Sequence, residues 1–297
     1  MHMSQNSAAR PSHKMLISVL IMMVTLIVAG CSPMSIYNAA APADAGAVLS
    51  KSDAAYGTHP RQKLDVYMPE VATAAAPVVV VIYGGAWNSG SKSDYAFLGR
   101  ALAARGFVAM VIDYRLVPEV HFPAFLEDCA LAVAWAHVHA REFGGDPNRL
   151  FVLGHSAGAY NAVMVALDGH YLKALGSDPK IIRGVAALAG PYDFLPLDKS
   201  STKAAFGHAE NLDQTQPANF VTSKAPTMFL ATGDDDTTVR PRNTLMLAER
   251  LRRDGNSVEV KRYPGVGHID IMLAMSRPLR SRAPVLDDVV QFFNRQP

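Results

Sequence analysis

The chain is 297 residues long, 49% hydrophobic and 18% charged, which is ordinary globular material with length enough for one large domain. Its formal net charge is +2, and residues 1–30 hold two bases, Arg10 and Lys14, and no acid, so the remainder is formally neutral. No surplus of positive charge points to a polyanion, and no nucleic-acid partner is expected.

Residues 1–14 are polar and weakly basic, residues 15–30 form an apolar run ending in small residues, and Cys31 follows. That order is the pattern of an export signal, whereas a membrane-spanning helix takes about 20 apolar residues. Val28-Ala-Gly-Cys31 resembles the bacterial lipobox, with Val28 where Leu is usual. The resemblance implies that 1–30 is removed as a signal peptide and that Cys31 carries lipid, anchoring the protein in the cell envelope. Cleaved secretion and an uncleaved anchor are the alternatives. Residues 31–51, rich in Ala, Pro and Ser, are expected to form a tether, and 52–297 the folded domain.

Strands are predicted at 53–56, 63–67, 78–83, 108–113, 150–153, 182–188, 228–232 and 258–263. The middle ones, such as Val78-Val-Val-Val-Ile82 and Val108-Ala-Met-Val-Ile112, are continuous apolar runs, as in strands covered on both faces of a parallel sheet. Helical patterns lie between them near 93–105, 123–142, 157–167, 240–254 and 284–294. Alternation of this kind predicts an α/β fold of eight strands, mostly parallel, with helices on both faces. The first two strands, with Gly57 and Pro60 between them, read as an antiparallel edge hairpin. Residues 192–225 lack periodicity and are expected to form a small insertion, a partial lid. Cys129, in an apolar helical pattern, reads as a buried small hydrophobe, with no disulfide once Cys31 is lipidated. No Cys/His cluster has metal-ligand spacing, so no metal and no cofactor are expected.

Gly154-His-Ser-Ala-Gly158 is a G-x-S-x-G placed directly after a predicted strand and before a predicted helix. A sharp strand-to-helix turn exposes the Ser156 hydroxyl and aims the positive end of the helix at a developing oxyanion. Tyr83-Gly-Gly-Ala-Trp87 leaves a second strand, and glycine there frees backbone amides to face a ligand. The candidate oxyanion donors are the amides of Gly85, Ala86 and Ala157. A serine hydroxyl needs a base, and the base an acid to orient it, in the chain order Ser, acid, His for this turn. Among His170, His208 and His268, the last lies on the glycine-flanked loop Pro264-Gly-Val-Gly-His268 after a strand and is the candidate base. The acid lies among Asp234, Asp235 and Asp236, and spacing alone does not choose between them.

Tyr83-Gly-Gly-Ala-Trp87, Asp113-Tyr-Arg115, Phe122-Pro123, Asp128, Gly144-Gly-Asp-Pro147, Gly154-His-Ser-Ala-Gly158, Gly233-x-x-Asp236-x-x-Val239 and Gly267-His268 together resemble the bacterial esterase branch of the α/β-hydrolase superfamily. The nearest groups are the hormone-sensitive-lipase-like and kynurenine-formamidase-like enzymes, and the resemblance covers about residues 52–295. It implies the α/β-hydrolase fold, assigns the acid to Asp236, and implies a serine carboxylesterase working through Ser156, His268 and Asp236; an apolar, open site suits small, short-chain acyl esters. An amidase, arylformamidase or peptidase could use the same three residues, and a binding protein that has lost turnover is the reading from another class. Tyr83 stands where the family usually has His, and the short stretch before the first strand leaves little room for a helical cap. Asp113, Arg115 and Asp128 are expected to brace the scaffold. Trp87 is expected either to line the pocket or to pack beneath it, and Arg277 to Arg282 to be a solvated loop.

Overall fold

The computed structural model describes residues 33–71 and 75–297. The expected signal peptide and Cys31 lie outside the described residues. Among the described residues no helix is long and apolar enough to cross a membrane.

Eight strands form one sheet: β1 (Ala47–Ala55), β2 (Lys63–Pro69), β3 (Ala76–Ile82), β4 (Val108–Ile112), β5 (Gly145–His155), β6 (Ile182–Leu188), β7 (Thr227–Gly233) and β8 (Val258–Tyr263). Their spatial order is β1-β2-β4-β3-β5-β6-β7-β8. β1 and β2 pair antiparallel, β2 runs antiparallel to β4, and every later pairing is parallel. Every residue of β3 and β4 is buried. Because successive side chains point to opposite sides of a strand, burial of all of them requires cover on both faces.

That cover comes from helices, some apolar along one face and others buried almost all round. The main ones are α1 (Pro33–Ala40), α2 (Ala96–Ala103), α3 (Ala124–His139), α4 (Ala157–Leu167), α5 (His170–Lys173), α6 (Ser200–Phe206), α7 (Arg242–Arg253), α8 (Asp270–Leu273) and α9 (Val285–Asn294). On α9, Phe293 stacks on Phe151 of β5 with ring centroids 4.7 Å apart, and Phe292 meets Phe229 of β7. Offset aromatic pairs of this kind add about 0.5–1.5 kcal/mol each beyond the area they bury.

Two expectations need correction. The segment read as a tether, 31–51, includes α1 and the first half of β1, and it is fastened down. Asp44 forms a bidentate pair with Arg280 at 2.8 and 3.0 Å, the Arg277 guanidinium donates to the Ala43 carbonyl, and Tyr37 bonds Ser276 at 2.6 Å. The same contacts correct the reading of 277–282 as a solvated loop: its arginines hold the amino-terminal segment, and Arg282 pairs with Asp270.

The insertion at 192–225 is also more ordered than its sequence suggests. It contains α6 and two short 3-10 turns, Leu212–Thr215 and Pro217–Phe220. Phe206, at the end of α6, is fully buried in an aromatic cluster with Trp87, Phe125, Tyr160 and Phe194. The scaffold role expected of Asp128 matches its contacts: it accepts from Nε and Nη2 of Arg115 and from Gln62 Nε2. Cys129 is a buried free thiol whose pKa burial pushes well up, as an inert hydrophobe requires.

Candidate active site

β5 ends at His155 and α4 begins at Ala157, so the whole strand-to-helix turn falls on Ser156. Its backbone sits at φ 55°, ψ −121°, a region that costs a non-glycine residue roughly 1–3 kcal/mol. The surroundings hold it there: the Ser156 amide donates to the Leu188 carbonyl at 2.9 Å, and its own carbonyl accepts from Tyr160 at 3.1 Å. The flanking glycines are required by close approach. A Cβ on Gly154 would lie 2.2 Å from the Gly158 carbonyl oxygen, and one on Gly158 would lie 2.1 Å from that of Ile82.

The structure brings Ser156, His268 and Asp236 into one line. His268, on the loop between β8 and α8, places Nε2 2.8 Å from Ser156 Oγ and Nδ1 2.7 Å from Asp236 Oδ2. The remaining oxygen of Asp236 accepts from the amides of Thr238 and Val239 at 2.9 and 2.8 Å. Asp236 can therefore only receive Nδ1–H, which leaves Nε2 as the acceptor facing the hydroxyl. The three adjacent aspartates part ways: Asp234 pairs with Arg262 at 2.7 Å and Asp235 is exposed. His170 pairs with Asp168, and the His208 ring lies tilted against that of His121 with centroids 4.3 Å apart, so neither takes the place of His268 at Ser156.

The loop after β3 lies against this turn with three consecutive residues at positive φ, Gly85 at 134°, Ala86 at 50° and Trp87 at 61°. Among the described residues nothing accepts from the amides of Gly85 or Ala86. Ala157 opens α4, so its amide has no intrahelical acceptor. The departure at Tyr83 has a local cause. Its ring stacks on Tyr114 at 4.6 Å, and its hydroxyl accepts from Arg61, which also donates to the Gly90 carbonyl at the far end of the loop. Here an Arg–Tyr pair braces the loop.

Ala86, Trp87, Ser156 and Ala157 open into a pocket of about 480 Å³. Trp87 does both things expected of it: it lines this pocket, and its indole N–H donates to Asn161 in the buried layer below at 3.0 Å. Phe194, Leu195 and Pro196 make one apolar wall, while Lys199, Thr238, Arg240 and Arg242 make a polar one. Lys199 donates to the Thr238 carbonyl at 2.7 Å, fastening the insertion to the loop that carries Asp236. Among the described residues no group of three or more His, Cys, Asp or Glu gathers to hold a metal ion.

Four neighbours of the site had no role assigned from the sequence. His155 is buried behind His268, Tyr95 bonds it from 60 residues away, and the Thr238 and Val239 amides hold Asp236. His155, as the residue before the serine of the G-x-S-x-G, and Val239, as the end of Gly233-x-x-Asp236-x-x-Val239, had a sequence signal; Tyr95 and Thr238 had none.

Known proteins agree with this architecture. A protein named carboxylesterase NlhH, from Mycobacterium tuberculosis, is 31% identical over 241 residues, covering 73% of this chain and 74% of that protein. Esterase LipC from the same species is 34% identical, covering 72% of this chain and 58% of its own length. A protein named probable isoprenylcysteine alpha-carbonyl methylesterase ICMEL1, from Arabidopsis thaliana, is 29% identical, covering 73% of this chain and 50% of its own length. The chain thus spans about half to three-fifths of the first relatives it matches. Among solved structures, esterase B from Lactobacillus rhamnosis superposes with a TM-score of 0.77 at 18% identity, covering 96% of both chains, which establishes a shared fold. The BD-FAE family model matches residues 64–251, from β2 through α7, and the chain belongs to the BD-FAE family, on an α/β-hydrolase fold.

Proposed function

We propose that this chain is a serine carboxylesterase that hydrolyses short-chain acyl esters through an acyl-enzyme. The observation that carries the reading is the continuous contact from Asp236 through His268 to Ser156 Oγ, at 2.7 and 2.8 Å, on the floor of an open pocket. The names of the relatives, esterase and carboxylesterase, support the same class.

In the first half-reaction Ser156 Oγ bonds to the ester carbonyl carbon as His268 Nε2 takes its proton. The carbonyl oxygen becomes an oxyanion facing the amides of Gly85, Ala86 and Ala157, and each such donor is worth about 2.7–4 kcal/mol of barrier. The imidazolium then returns the proton to the leaving alcohol as the C–O bond breaks. In the second half, water attacks the acyl-serine with His268 again as base, and the acid departs. Asp236 keeps the imidazole in the Nδ1–H tautomer throughout. Trp87, Phe194, Leu195 and Pro196 share the lining of this pocket with Lys199, Arg240 and Arg242, and so limited an apolar surface suits a small acyl group.

The test is a p-nitrophenyl ester series of rising acyl length on the wild type and Ser156→Ala, with a matched anilide alongside. Turnover should be highest for short acyl groups, fall for long ones, exceed that on the anilide, and collapse in Ser156→Ala. Full esterase turnover in Ser156→Ala would overturn the mechanism, and a preference for the anilide would move the enzyme to the amidases.

A further inference from the structure

His155 is a buried titratable group that the chemistry above leaves unused. It is 2% exposed, its ring centroid lies 5.0 Å from that of His268, and both of its nitrogens are engaged. Nε2 lies 2.9 Å from the backbone carbonyl oxygen of His268, and Nδ1 lies 2.7 Å from Tyr95 Oη. Tyr95 Oη in turn lies 3.1 Å from the amide of Gly84, the residue next to the candidate oxyanion donors.

These contacts admit one proton arrangement. A carbonyl oxygen only accepts, so Nε2 carries the hydrogen and donates to His268. Burial, reinforced by the charge of His268 when protonated, lowers the His155 pKa to about 3, so the ring is neutral and Nδ1 is bare. Tyr95 must then donate its hydroxyl hydrogen to Nδ1, and the Gly84 amide donates to the Tyr95 oxygen. Every donor and acceptor in the line is used once, and the direction runs from Gly84 to His268. The fit at Gly84 is close as well: a Cβ there would lie 2.9 Å from the His155 carbonyl oxygen and 3.1 Å from Nδ1.

Resting on the serine-hydrolase reading of the site, we infer that Gly84, Tyr95 and His155 form a positioning relay. It ties the backbone of the general base to the oxyanion loop, so that the two halves of the catalytic apparatus are set by one chain of hydrogen bonds. His268 sits on a loop, and His155 fixes its carbonyl from behind while Asp236 fixes its ring from the side. Losing the relay frees the base and the Gly85–Ala86 amides to shift independently of each other, which changes chemistry more than binding, since neither His155 nor Tyr95 lines the pocket.

The experiment compares wild type, His155→Phe, His155→Gln, Tyr95→Phe and the double variant His155→Phe/Tyr95→Phe, with Ser156→Ala in parallel and thermal melts to establish folding. His155→Phe should lower kcat about 10- to 100-fold with KM little changed, the scale of a misplacement of about 1 Å. His155→Gln, whose amide nitrogen reaches where Nε2 stood, should recover most of kcat. The double variant should be no worse than His155→Phe, because both break one line. Nitrogen-15 spectra of the histidines should show a neutral His155 protonated at Nε2 from pH 5 to 8, whatever the enzyme turns over. A folded His155→Phe with kcat within twofold of wild type, failure of Gln to rescue, simple multiplication of the two single effects, or an Nδ1–H tautomer would each overturn the relay. Full turnover in Ser156→Ala would instead overturn the serine reading, and the nitrogen spectra would still decide the hydrogen-bond line.

Discussion

Asp236 and Asp128 are both carboxylates with almost no exposed side-chain surface, at 0% and 1%, yet they are built for different work. Asp128 is closed on itself: two nitrogens of Arg115, the Arg115 amide and Gln62 saturate its oxygens, and a guanidinium does not give up its proton. Asp236 spends one oxygen on two fixed amides and the other on an imidazole whose far nitrogen touches a hydroxyl on a pocket floor. Burial is common to both and so says little about function. The partner decides: a permanent cation makes a brace, and an exchangeable ring beside open volume makes a site.

The contrast can be broken by removing the charge from each. Asp236→Asn should cut kcat by about 10⁴-fold, because the amide can offer Nδ1 a donor and invert the tautomer. Its melting temperature should move little beside that loss. If the variant keeps activity within tenfold of wild type, Asp236 is a brace like Asp128. Asp128→Asn should do the reverse. It leaves Arg115 without its carboxylate, and unfolding free energy from urea titration should fall by about 3 kcal/mol, kept to the low end because Arg115 is 25% exposed. The kcat of the folded fraction should stay near wild type, and a large fall in kcat without loss of stability would erase the distinction.

A third buried titratable group, His155, sharpens it through pH. In the unfolded chain its ring takes a proton below about 6.5, whereas the folded protein resists until about 3. Between those values the unfolded state holds more protons, so native stability falls as pH drops from 6.5 toward 3. The contribution lost between pH 7 and 5 is about 2 kcal/mol, at up to about 1.4 kcal/mol per pH unit. His155→Gln removes that proton uptake, so its urea midpoint should decline less steeply with acid than that of wild type. Parallel declines would mean that the ring is solvated or protonated in the native state.

The parallel core was legible because strands covered on both faces, such as Val78-Val-Val-Val-Ile82, must be apolar at every position. β1 was read as 53–56 when it starts at Ala47, because an edge strand exposed along most of its length carries Ser-Lys-Ser where an inner one would carry valine. α1 was missed for a related reason: Asn38 holds it by bonding the carbonyls of Ser93 and Asp94 and accepting from the Phe97 amide, some 55 to 59 residues on. In the site, chain order and loop context were enough to nominate Ser156 and His268. The three neighbouring aspartates differ only in where the turn after β7 aims them, which no spacing encodes. Tyr95 and His155 lie 60 residues apart and meet only once β3, α2 and β5 have assembled.

The grip of Asn38 on residues 93–97 has a mechanical side. Tyr95 lies within that stretch, so a load hung on the amino end of the chain is borne by the segment that holds His155. Pro297, by contrast, ends beside Asp146 and Arg183, on a different rim of the sheet from the serine. A purification tag or surface linkage therefore belongs at the carboxyl end, and preparations trimmed to start at residue 52 would cut away the clasp itself.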